Sequence, residues 1–381
     1  MLRIHYSLES QLKDGIADIA APEELSIQVR NLVLKTAKRK KVGFGSTIAE
    51  HPSQSGGAFH AAASGTVRDL DYHHLVIACG EGGDDAEPVN VASLQPGREL
   101  LRTLQELGID IAVLSSRAET LVINGMNPEP GVSVAEQMLA DEMENLEAGL
   151  DVACALIEPQ RTILAVADAS EYRLPGTTPQ SIKAKYPNSL DALVVKAVTG
   201  EEFPSNAKIM SVMDLYALGR VVRTGLPVTE TVMTIEGRNY RVPIGTPIRH
   251  LLSCLGIKAA SGDTVVLGGS FRGEAVYSLD EGVRKGDYGM FVISSDAFPH
   301  VQDVSCINCG ECVLNCPGRI QPNLISRYAE YEMFEMAEKH GLHSCFECGL
   351  CAFSCTMRRP LLQYIRFAKD QLRAAGRSEQ A

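Results

Sequence analysis

The apolar residues follow two spacings along the chain, and these spacings predict both strands and helices. Between residues 26 and 78, short apolar runs alternate with glycine turns, a pattern typical of a small β-barrel or sandwich. Between residues 95 and 199, strand patterns alternate with helix patterns, which favours an α/β layer on a mostly parallel sheet. The elements predicted in that layer are helices over 98–107, 134–156 and 190–198 and strands over 110–114, 120–123 and 162–167.

The second half of the chain carries another strand region and then a helical one. A hairpin signal at 237–239, a helix over 248–255 and a strand over 264–267 indicate a compact α+β fold similar to ubiquitin. Gly268, Gly269 and Gly273 could admit a ligand close to the backbone, but we favour turns. Beyond residue 300, amphipathic helices are predicted over 322–340, with Leu324 and Tyr331 on its inward face, and over 361–375.

Composition and charge narrow the class of protein. The chain has 381 residues, 45% of them hydrophobic and 22% charged, so it is globular and longer than one core usually supports. No run of 18 apolar residues occurs and the N-terminus lacks a signal-peptide pattern, so we expect neither a membrane span nor export by the general secretory route. The net charge of −11 argues against nucleic acid as the main partner.

The distribution of the 11 cysteines indicates a reducing compartment and a metal or redox site. Cys79, Cys154 and Cys254 are scattered singly, and we expect them to be buried small hydrophobic residues. The other eight all lie after residue 300, in a chain without an export signal. Such clustering differs from that of a secreted disulfide scaffold, whose cysteines spread along the whole chain.

The eight clustered cysteines form two runs, 306–316 and 345–355, which we call the first run and the second run. Both have the spacing C-x2-C-x2-C-x3-C that is typical of bacterial [4Fe–4S] ferredoxins, in which the fourth cysteine of each run ligates the other cluster. Thr356 stands where the motif has proline, but that proline is not a ligand. The predicted ligands are therefore Cys306, Cys309, Cys312 and Cys355 for one cluster and Cys345, Cys348, Cys351 and Cys316 for the other.

Two alternatives to clusters are disulfides and structural zinc, and zinc usually takes two separated cysteine pairs instead of three cysteines in seven residues. Two adjacent clusters without substrate chemistry around them predict an electron relay. The acidic surface and the basic final helix offer docking faces for redox partners. The basic residues of that helix are Arg366, Lys369, Arg373 and Arg377.

Together with the cysteine runs, several segments resemble the C subunit of Rnf-type electron transport complexes over nearly the full chain. They are HAAASGTV (60–67), VTGEEFP (198–204), RVPIGTPIR (241–249) and PLLQYIR (360–366). The loop at 129–131 resembles the flavoprotein subunit of respiratory complex I, a relative of that family. The resemblance implies an α/β multidomain fold, with an N-terminal segment (1–25), a barrel-sandwich (lipoyl-like) β module (26–85), a Rossmann-like α/β domain (86–205), a β-grasp (SLBB-like) domain (206–298) and a C-terminal, ferredoxin-like helical domain with two [4Fe–4S] clusters (299–381).

The chain departs from that family at its nucleotide site. Members that oxidise NADH carry a G-x-G-G-A-G-F-P-type loop that holds FMN phosphate and nucleotide on backbone N–H groups. The corresponding stretch here, GIDIAVLSS (108–116), lacks those glycines, the Phe-Pro and the following lysine. Asn124, Gly125 and Glu129, with Pro130, remain of the flavin loop, while Asn127 replaces an acidic residue. We therefore expect a lost NADH/FMN site and no bound FMN.

The function implied is an iron–sulfur subunit that relays single electrons between redox partners and is not a self-contained catalyst. The partners expected are other subunits of a redox complex, among them a membrane-bound one, and a ferredoxin or flavoprotein donor or acceptor. The expected location is cytoplasmic, with attachment to the inner membrane only through partner subunits. One alternative is an NADH-dependent FMN flavoprotein reductase subunit of an ion-translocating or soluble reductase complex. Another is a zinc-stabilised scaffold without redox chemistry.

Overall fold

The computed structural model describes residues 6–10, 12, 14–297 and 304–376, and it shows a mixed α/β protein. The described residues form two compact units. The larger unit contains the chain up to Gly269 together with Glu274–Ile293, and the smaller unit contains Ser270–Gly273 and the chain from Ser294 onward. No helix within the described ranges is long and apolar enough to cross a membrane.

All described strands lie in the larger unit, and the helices are divided between the two. The strands are β1 (Ala17–Asp18), β2 (Glu24–Gln28), β3 (Val33–Leu34), β4 (Lys41–Val42), β5 (Thr47–Glu50), β6 (Phe59–His60), β7 (Gly65–Leu70), β8 (His74–Cys79), β9 (Thr120–Asn124), β10 (Arg161–Ala167), β11 (Thr178–Ile182), β12 (Ala207–Ser211), β13 (Glu230–Ile235), β14 (Arg238–Pro243), β15 (Thr264–Leu267), β16 (Glu274–Ala275) and β17 (Gly289–Ile293). The helices of the larger unit are α1 (Arg98–Glu106), α2 (Val134–Asp141), α3 (Met143–Ile157), α4 (Asp191–Thr199), α5 (Val212–Thr224) and α6 (Ile248–Cys254). Those of the smaller unit are α7 (Glu311–Leu314), α8 (Pro322–Glu330), α9 (Phe334–Lys339), α10 (Leu350–Ser354) and α11 (Leu361–Ala374).

The first strands form two small sheets with one shared core. Their orders are β2-β8-β7-β4 and β3-β5-β6, and every pairing in them is antiparallel. Leu25 and Ile77 pair across β2 and β8, and both are fully buried together with Ile48 of the other sheet. Along β8 and the start of β7, buried positions alternate with less buried ones, as expected where the core lies on one face of a sheet.

The α/β layer is built on the parallel sheet β11-β10-β9-β12. Its central strand β9 is buried at every position, as expected for a sheet that is covered on both faces. Strand β12 and helix α5 lie in this layer although both follow residue 205. The predicted helices at 98–107 and 190–198 correspond to α1 and α4, and the predicted strands at 120–123 and 162–167 correspond to β9 and β10.

Two predicted elements of this layer are wrong. The helix expected over 134–156 is two helices, α2 and α3, because Glu142 between them leaves the helical conformation with φ −119°. The strand expected over 110–114 is a series of turns. Ile111 and Leu114 reach the core from those turns, so their apolar character reflects packing and not a strand.

Helices α3 and α5 cross unusually closely, because each presents a glycine to the backbone of the other. A Cβ on Gly219 would lie 1.7 Å from the carbonyl oxygen of Asn145, and one on Gly149 would lie 2.3 Å from that of Leu215. We expect Gly219→Ala to destabilise the larger unit by about 3 kcal/mol through overpacking. Helix propensity alone predicts a gain of about 1 kcal/mol from the same change, so a raised denaturation midpoint would contradict this packing argument.

The remaining strands form the sheet β1-β14-β13-β17-β15-β16, with α6 packed against it. The predicted hairpin is β13 and β14, and its turn consists of Glu236 and Gly237, with φ of 48° and 75°. Both positive values are those of a two-residue hairpin turn, whose twist matches that of the strands.

The smaller unit is helical, and its apolar core includes cysteines. The single helix predicted over 322–340 is wrong, because Glu332 adopts φ 56° and separates α8 from α9. Tyr331, which we placed on the inward face, is 70% exposed, whereas Ile325 and Ala329 are buried. The core residues are Cys312, Ile320, Ile325, Ala329, Ala337, Leu342, Cys351, Leu361, Ile365, Ala368 and Leu372.

Candidate metal centres

The two cysteine runs adopt the same backbone conformation. In each run a short helix, α7 or α10, begins directly after a glycine. Positive φ angles fall at matching places within and just after the two runs. They are 54° at Asn308 and Glu347, 83° and 76° at Gly310 and Gly349, and, three residues after each run, 54° and 52° at Arg319 and Arg358. Such repeated left-handed positions turn each chain segment back, so that its first three cysteines face one side.

The eight cysteines line two separate cavities. The cavities have volumes of about 380 Å³ and 300 Å³, part of which is open to solvent. Each takes three cysteines from one run and one from the other. We call them the first site, with Cys306, Cys309, Cys312 and Cys355, and the second site, with Cys316, Cys345, Cys348 and Cys351. The structure thus brings together the two predicted sets of cysteines, while their role as ligands stays a prediction.

The thiols surround these cavities without meeting at one point. Within the described ranges, no group of three or more His, Cys, Asp or Glu side chains is close enough to hold a single metal ion. The first cavity is completed by residues of α8 and of the segment that follows the second run, among them Asn323, Met357 and Arg359. The second is completed mainly by Pro317, Phe346 and Leu362, which are less polar.

Burial and hydrogen bonding act in opposite directions on the thiols. Burial raises the pKa of Cys312, Cys345 and Cys351, and it raises that of Cys348 to about 12. Exposed Cys309 has a lowered pKa, because its sulfur lies 3.4 Å from the Thr356 hydroxyl oxygen. Buried thiols of this kind become thiolates only when a nearby positive charge, such as a metal ion, stabilises the anion.

Backbone N–H groups point at the sulfurs at matching positions. The N–H of Asn308 donates to Cys306 Sγ and that of Glu347 donates to Cys345 Sγ, both over 3.4 Å. Both donors have the left-handed conformation described above, which turns their N–H back toward the preceding cysteine. The sites therefore present the hydrogen bonds that tune a metal–thiolate centre.

An ion-pair network lies beside the second site. Glu347 Oε1 accepts from Lys369 Nζ over 2.7 Å, and its Oε2 accepts from Arg366 Nε over 3.1 Å. Lys369 Nζ also donates to the carbonyl oxygen of Cys345 over 2.9 Å. Burial raises the pKa of the Glu347 carboxyl, but the hydrogen bonds and charges of Lys369 and Arg366 outweigh this effect and lower it.

This network corrects the expectation that the final helix is a basic docking face. Lys369 is 9% exposed and Arg366 is directed at Glu347, so neither forms an exposed positive surface. Arg373 is exposed, and Arg377 lies outside the described residues. The sequence could not reveal the contact, because Glu347 and Lys369 lie 22 residues apart and neither is one of the cysteines that define the motif.

The first site has a buried cation of its own that sequence reasoning also missed. Arg359 lines the first cavity, is 6% exposed and forms an ion pair with Glu330 of α8. Its other guanidinium nitrogen donates to the carbonyl oxygen of Val304 over 2.8 Å. Arg359 therefore holds the chain that enters the first run against α8.

The three scattered cysteines only partly match their expectation. Cys79 and Cys154 are half-buried. Cys254 is exposed, which contradicts the prediction of a buried residue, and its sulfur lies 3.2 Å from His250 Nε2. Cys254 is the last residue of α6 and lies at the surface. The buried face of that short helix is formed by other residues, among them Ile248 and Leu251.

The loop that we predicted to be a remnant of a flavin site (124–131) lies at the carboxyl end of β9, and its polar side chains form hydrogen bonds within the protein. Asn124 donates its amide to Ser189 O and Asp191 Oδ1, over 2.9 Å and 2.8 Å. Glu129 is fully buried, and its Oε1 accepts from the Tyr288 hydroxyl over 2.6 Å. Asn127 donates to Leu8 O over 3.1 Å and to Ser10 Oγ over 3.3 Å, so residues 8–10 lie against this loop.

The neighbouring glycines pack tightly against this loop. A Cβ on Gly269 would lie 2.2 Å from the Glu129 carboxyl carbon, and one on Gly125 would lie 3.0 Å from Ala165 O. The glycine at 269 is therefore required by the close approach of Glu129, a reason that the sequence alone did not distinguish from a turn.

Backbone groups of the stretch at 108–116 also form hydrogen bonds within the protein. The N–H of Ile111 donates to Ser55 O over 2.8 Å, and that of Ile109 donates to Leu104 O over 2.9 Å. The carbonyl oxygen of Gly108 accepts from Lys285 Nζ. These backbone groups are thus already bonded within the chain.

Comparison with known proteins gives relatives that share most of the chain. The chain is 25% identical over 392 residues to the C subunit of the proton-translocating ferredoxin:NAD(+) oxidoreductase complex of Clostridium ljungdahlii, covering 90% of this chain and 86% of that protein. It is 27% identical over 391 residues to the C subunit of the ion-translocating oxidoreductase complex of Serratia proteamaculans, covering 92% of this chain and 56% of that longer protein. These relatives confirm the resemblance predicted from the sequence.

Comparison with solved structures gives a more distant likeness, and comparison with family models gives none. No protein-family model matches the chain. Among solved structures, an NAD+-reducing [NiFe]-hydrogenase in its H2-reduced state aligns with a TM-score of 0.42 and 14% identity, over 76% of this chain and 66% of that one.

Proposed function

We propose that this chain, which is similar over most of its length to the C subunit of ion-translocating, Rnf-type oxidoreductase complexes, is an iron–sulfur electron-transfer subunit of such a complex. The observation that carries the proposal is the gathering of eight cysteines around two cavities, four to each. Four thiolates around a space of this kind fit a [4Fe–4S] cluster, which takes four cysteine ligands.

The arrangement of the eight cysteines supports iron–sulfur clusters in preference to zinc ions. A structural zinc ion draws four ligands to one point, with Zn–S distances of about 2.3 Å. The cysteines here instead enclose a space, and they alternate between runs as in two-cluster ferredoxins. When bound, the clusters supply one-electron chemistry. The chain's own part is to fix the thiolates, to direct N–H groups at Cys306 and Cys345, and to bury Cys348 and Cys351 away from water.

The exposure of the two sites favours the first site as the contact with a redox partner. Cys309 is exposed, and Ile307 beside it is 59% exposed. In the second site, Cys348 and Cys351 are both buried. A single electron can reach an outside partner from the first site across little intervening protein, whereas the second site suits transfer within the complex.

We further propose that the NADH/FMN site is lost. The polar groups of the remnant loop, Asn124 and Glu129 above all, are satisfied by internal partners. The stretch at 108–116 has Ile109 and Ile111 N–H groups bonded within the protein, so they do not form the free N–H cradle that a phosphate requires. The larger unit then serves as a docking scaffold for other subunits.

The finer architecture and the partners belong to the same proposal. The two small antiparallel sheets, the parallel sheet and the six-stranded sheet support the barrel-sandwich, Rossmann-like and β-grasp assignments, but not every predicted boundary. Strand β12 and helix α5 extend the α/β layer beyond residue 205, and β1 of the predicted N-terminal segment pairs in the six-stranded sheet. The partners are other subunits of the complex and a ferredoxin or flavoprotein. We propose a position on the cytoplasmic side of the membrane, held there by partner subunits.

A cofactor inventory tests the function. We expect the chain, purified anaerobically, to contain about eight iron and about eight acid-labile sulfide per molecule, since each cubane has four of each. It should contain no flavin, and NADH should not bleach its visible absorption, whereas dithionite should. Zinc without iron would contradict the electron-transfer function. Stoichiometric FMN with bleaching by NADH would instead establish the alternative, a flavoprotein reductase.

A further inference from the structure

We propose that Lys369 is a positioning residue that raises the reduction potential of the centre in the second site. This inference rests on the proposed function, because it concerns a centre that the four cysteines of that site hold. Lys369 lies on α11, outside the cysteine motif. Its ammonium nitrogen is 2.9 Å from the Cys345 carbonyl oxygen.

The geometry connects Lys369 to a ligand through two routes. One is the direct hydrogen bond to the backbone of Cys345. The other runs through Glu347, whose carboxylate accepts from Lys369 and whose N–H donates to Cys345 Sγ. The Lys369 ammonium therefore holds both Cys345 and Glu347, the two residues between which the N–H···Sγ hydrogen bond forms.

Lys369 is a buried cation close to the second site. Its partner Glu347 also accepts a hydrogen bond from Arg366, so Lys369 does not have that carboxylate to itself. Lys369 is 9% exposed, and water screens its field only weakly. A positive charge beside a centre stabilises the reduced form, which carries one more electron, and therefore raises the potential.

The first run provides an internal comparison. Asn308, a neutral amide, occupies the position that matches Glu347, and its Oδ1 lies 3.7 Å from Cys306 Sγ. Among the described residues, the cation of the first site, Arg359, pairs with Glu330 and donates to the carbonyl oxygen of Val304, and it does not bond to the backbone of a cysteine. The link between a buried lysine and a ligand loop is thus a property of the second site.

Opposite charge changes on one ion pair test the inference. In the full chain purified anaerobically, the two centres are followed by paramagnetic resonance during a redox titration. Lys369→Met should lower the potential of one centre and leave the other in place. Glu347→Gln should raise the potential of the same centre, because it removes the negative partner. Arg373→Met is the matched control: it removes one positive charge from the same helix at an exposed position, and neither potential should move.

The outcomes separate this inference from the proposed function. Shifts of the same sign for Lys369→Met and Glu347→Gln would show a purely structural role and would overturn the inference. So would unchanged potentials in a protein that contains both centres. A wild-type protein without iron and sulfide would overturn the proposed function itself. If Lys369→Met fails to fold, a raised potential in Glu347→Gln still supports the electrostatic role, and a lowered or unchanged one contradicts it.

Discussion

Cys316→Ala should abolish the centre of the second site and leave that of the first site intact, although Cys316 belongs to the first run. Cys316 lines the second cavity together with Cys345, Cys348 and Cys351. We expect the loss of one of its four thiolate ligands to release this centre, so that iron falls from about eight to about four per chain. Iron and sulfide analysis, with paramagnetic resonance of the dithionite-reduced protein, measures this.

The reciprocal change separates the crossed arrangement from a simpler one. Cys355→Ala should remove the centre of the first site, which its sulfur helps to line. Cys154→Ala is the control, because Cys154 lies in the larger unit and contacts neither cavity. If each run held its own centre, Cys316→Ala would eliminate the signal that depends on Cys306, Cys309 and Cys312, and the crossed assignment would be wrong.

Gly349→Ala should damage the smaller unit far more than Gly310→Ala, although both glycines occupy the same place in their runs. Both have positive φ, which costs an L-residue about 1 kcal/mol or more. A Cβ on Gly349 would also lie 2.1 Å from the carbonyl oxygen of Phe271, whereas one on Gly310 would meet nothing within 4 Å. We expect losses of about 3 kcal/mol and about 1 kcal/mol respectively, since overpacking adds to the backbone strain.

Denaturant midpoints, with iron content as a second readout, test this difference. Gly349→Ala should bind less iron at its site, because the loop between Cys348 and Cys351 must move away from Phe271. Gly310→Ala should keep its iron. Equal midpoints for the two variants would show that the contact with Phe271 is easily relieved, and the prediction would fail.

The sequence predicts most of what depends on local spacing. The cysteine motif is defined by spacing along the chain, so both sets of four cysteines could be assigned from the sequence without a structure. The strands β9 and β10 and the helix α11 were predicted from the pattern of apolar residues, and the structure forms them at those positions. Elements of this kind need no information from distant parts of the chain.

The predictions are wrong where a contact with a distant residue, or the backbone angle of a single residue, determines the local structure. Glu142 and Glu332 divide predicted helices, and nothing in their residue type announces a break. The apolar residues at 110–114 pack into the core from turns, which strand periodicity cannot distinguish. Lys369 was expected at the surface because basic residues usually are, but its partner Glu347 lies on another segment.

Each cavity takes cysteines from both runs, and this limits the stage of translation at which either set of four cysteines can be complete. A nascent chain released from the ribosome as far as Cys316 carries three thiols of one cavity and a single thiol of the other. Neither group of four is complete until Cys351 and Cys355 have been translated. The proposed centres can therefore be completed only after the chain has been synthesised through Cys355.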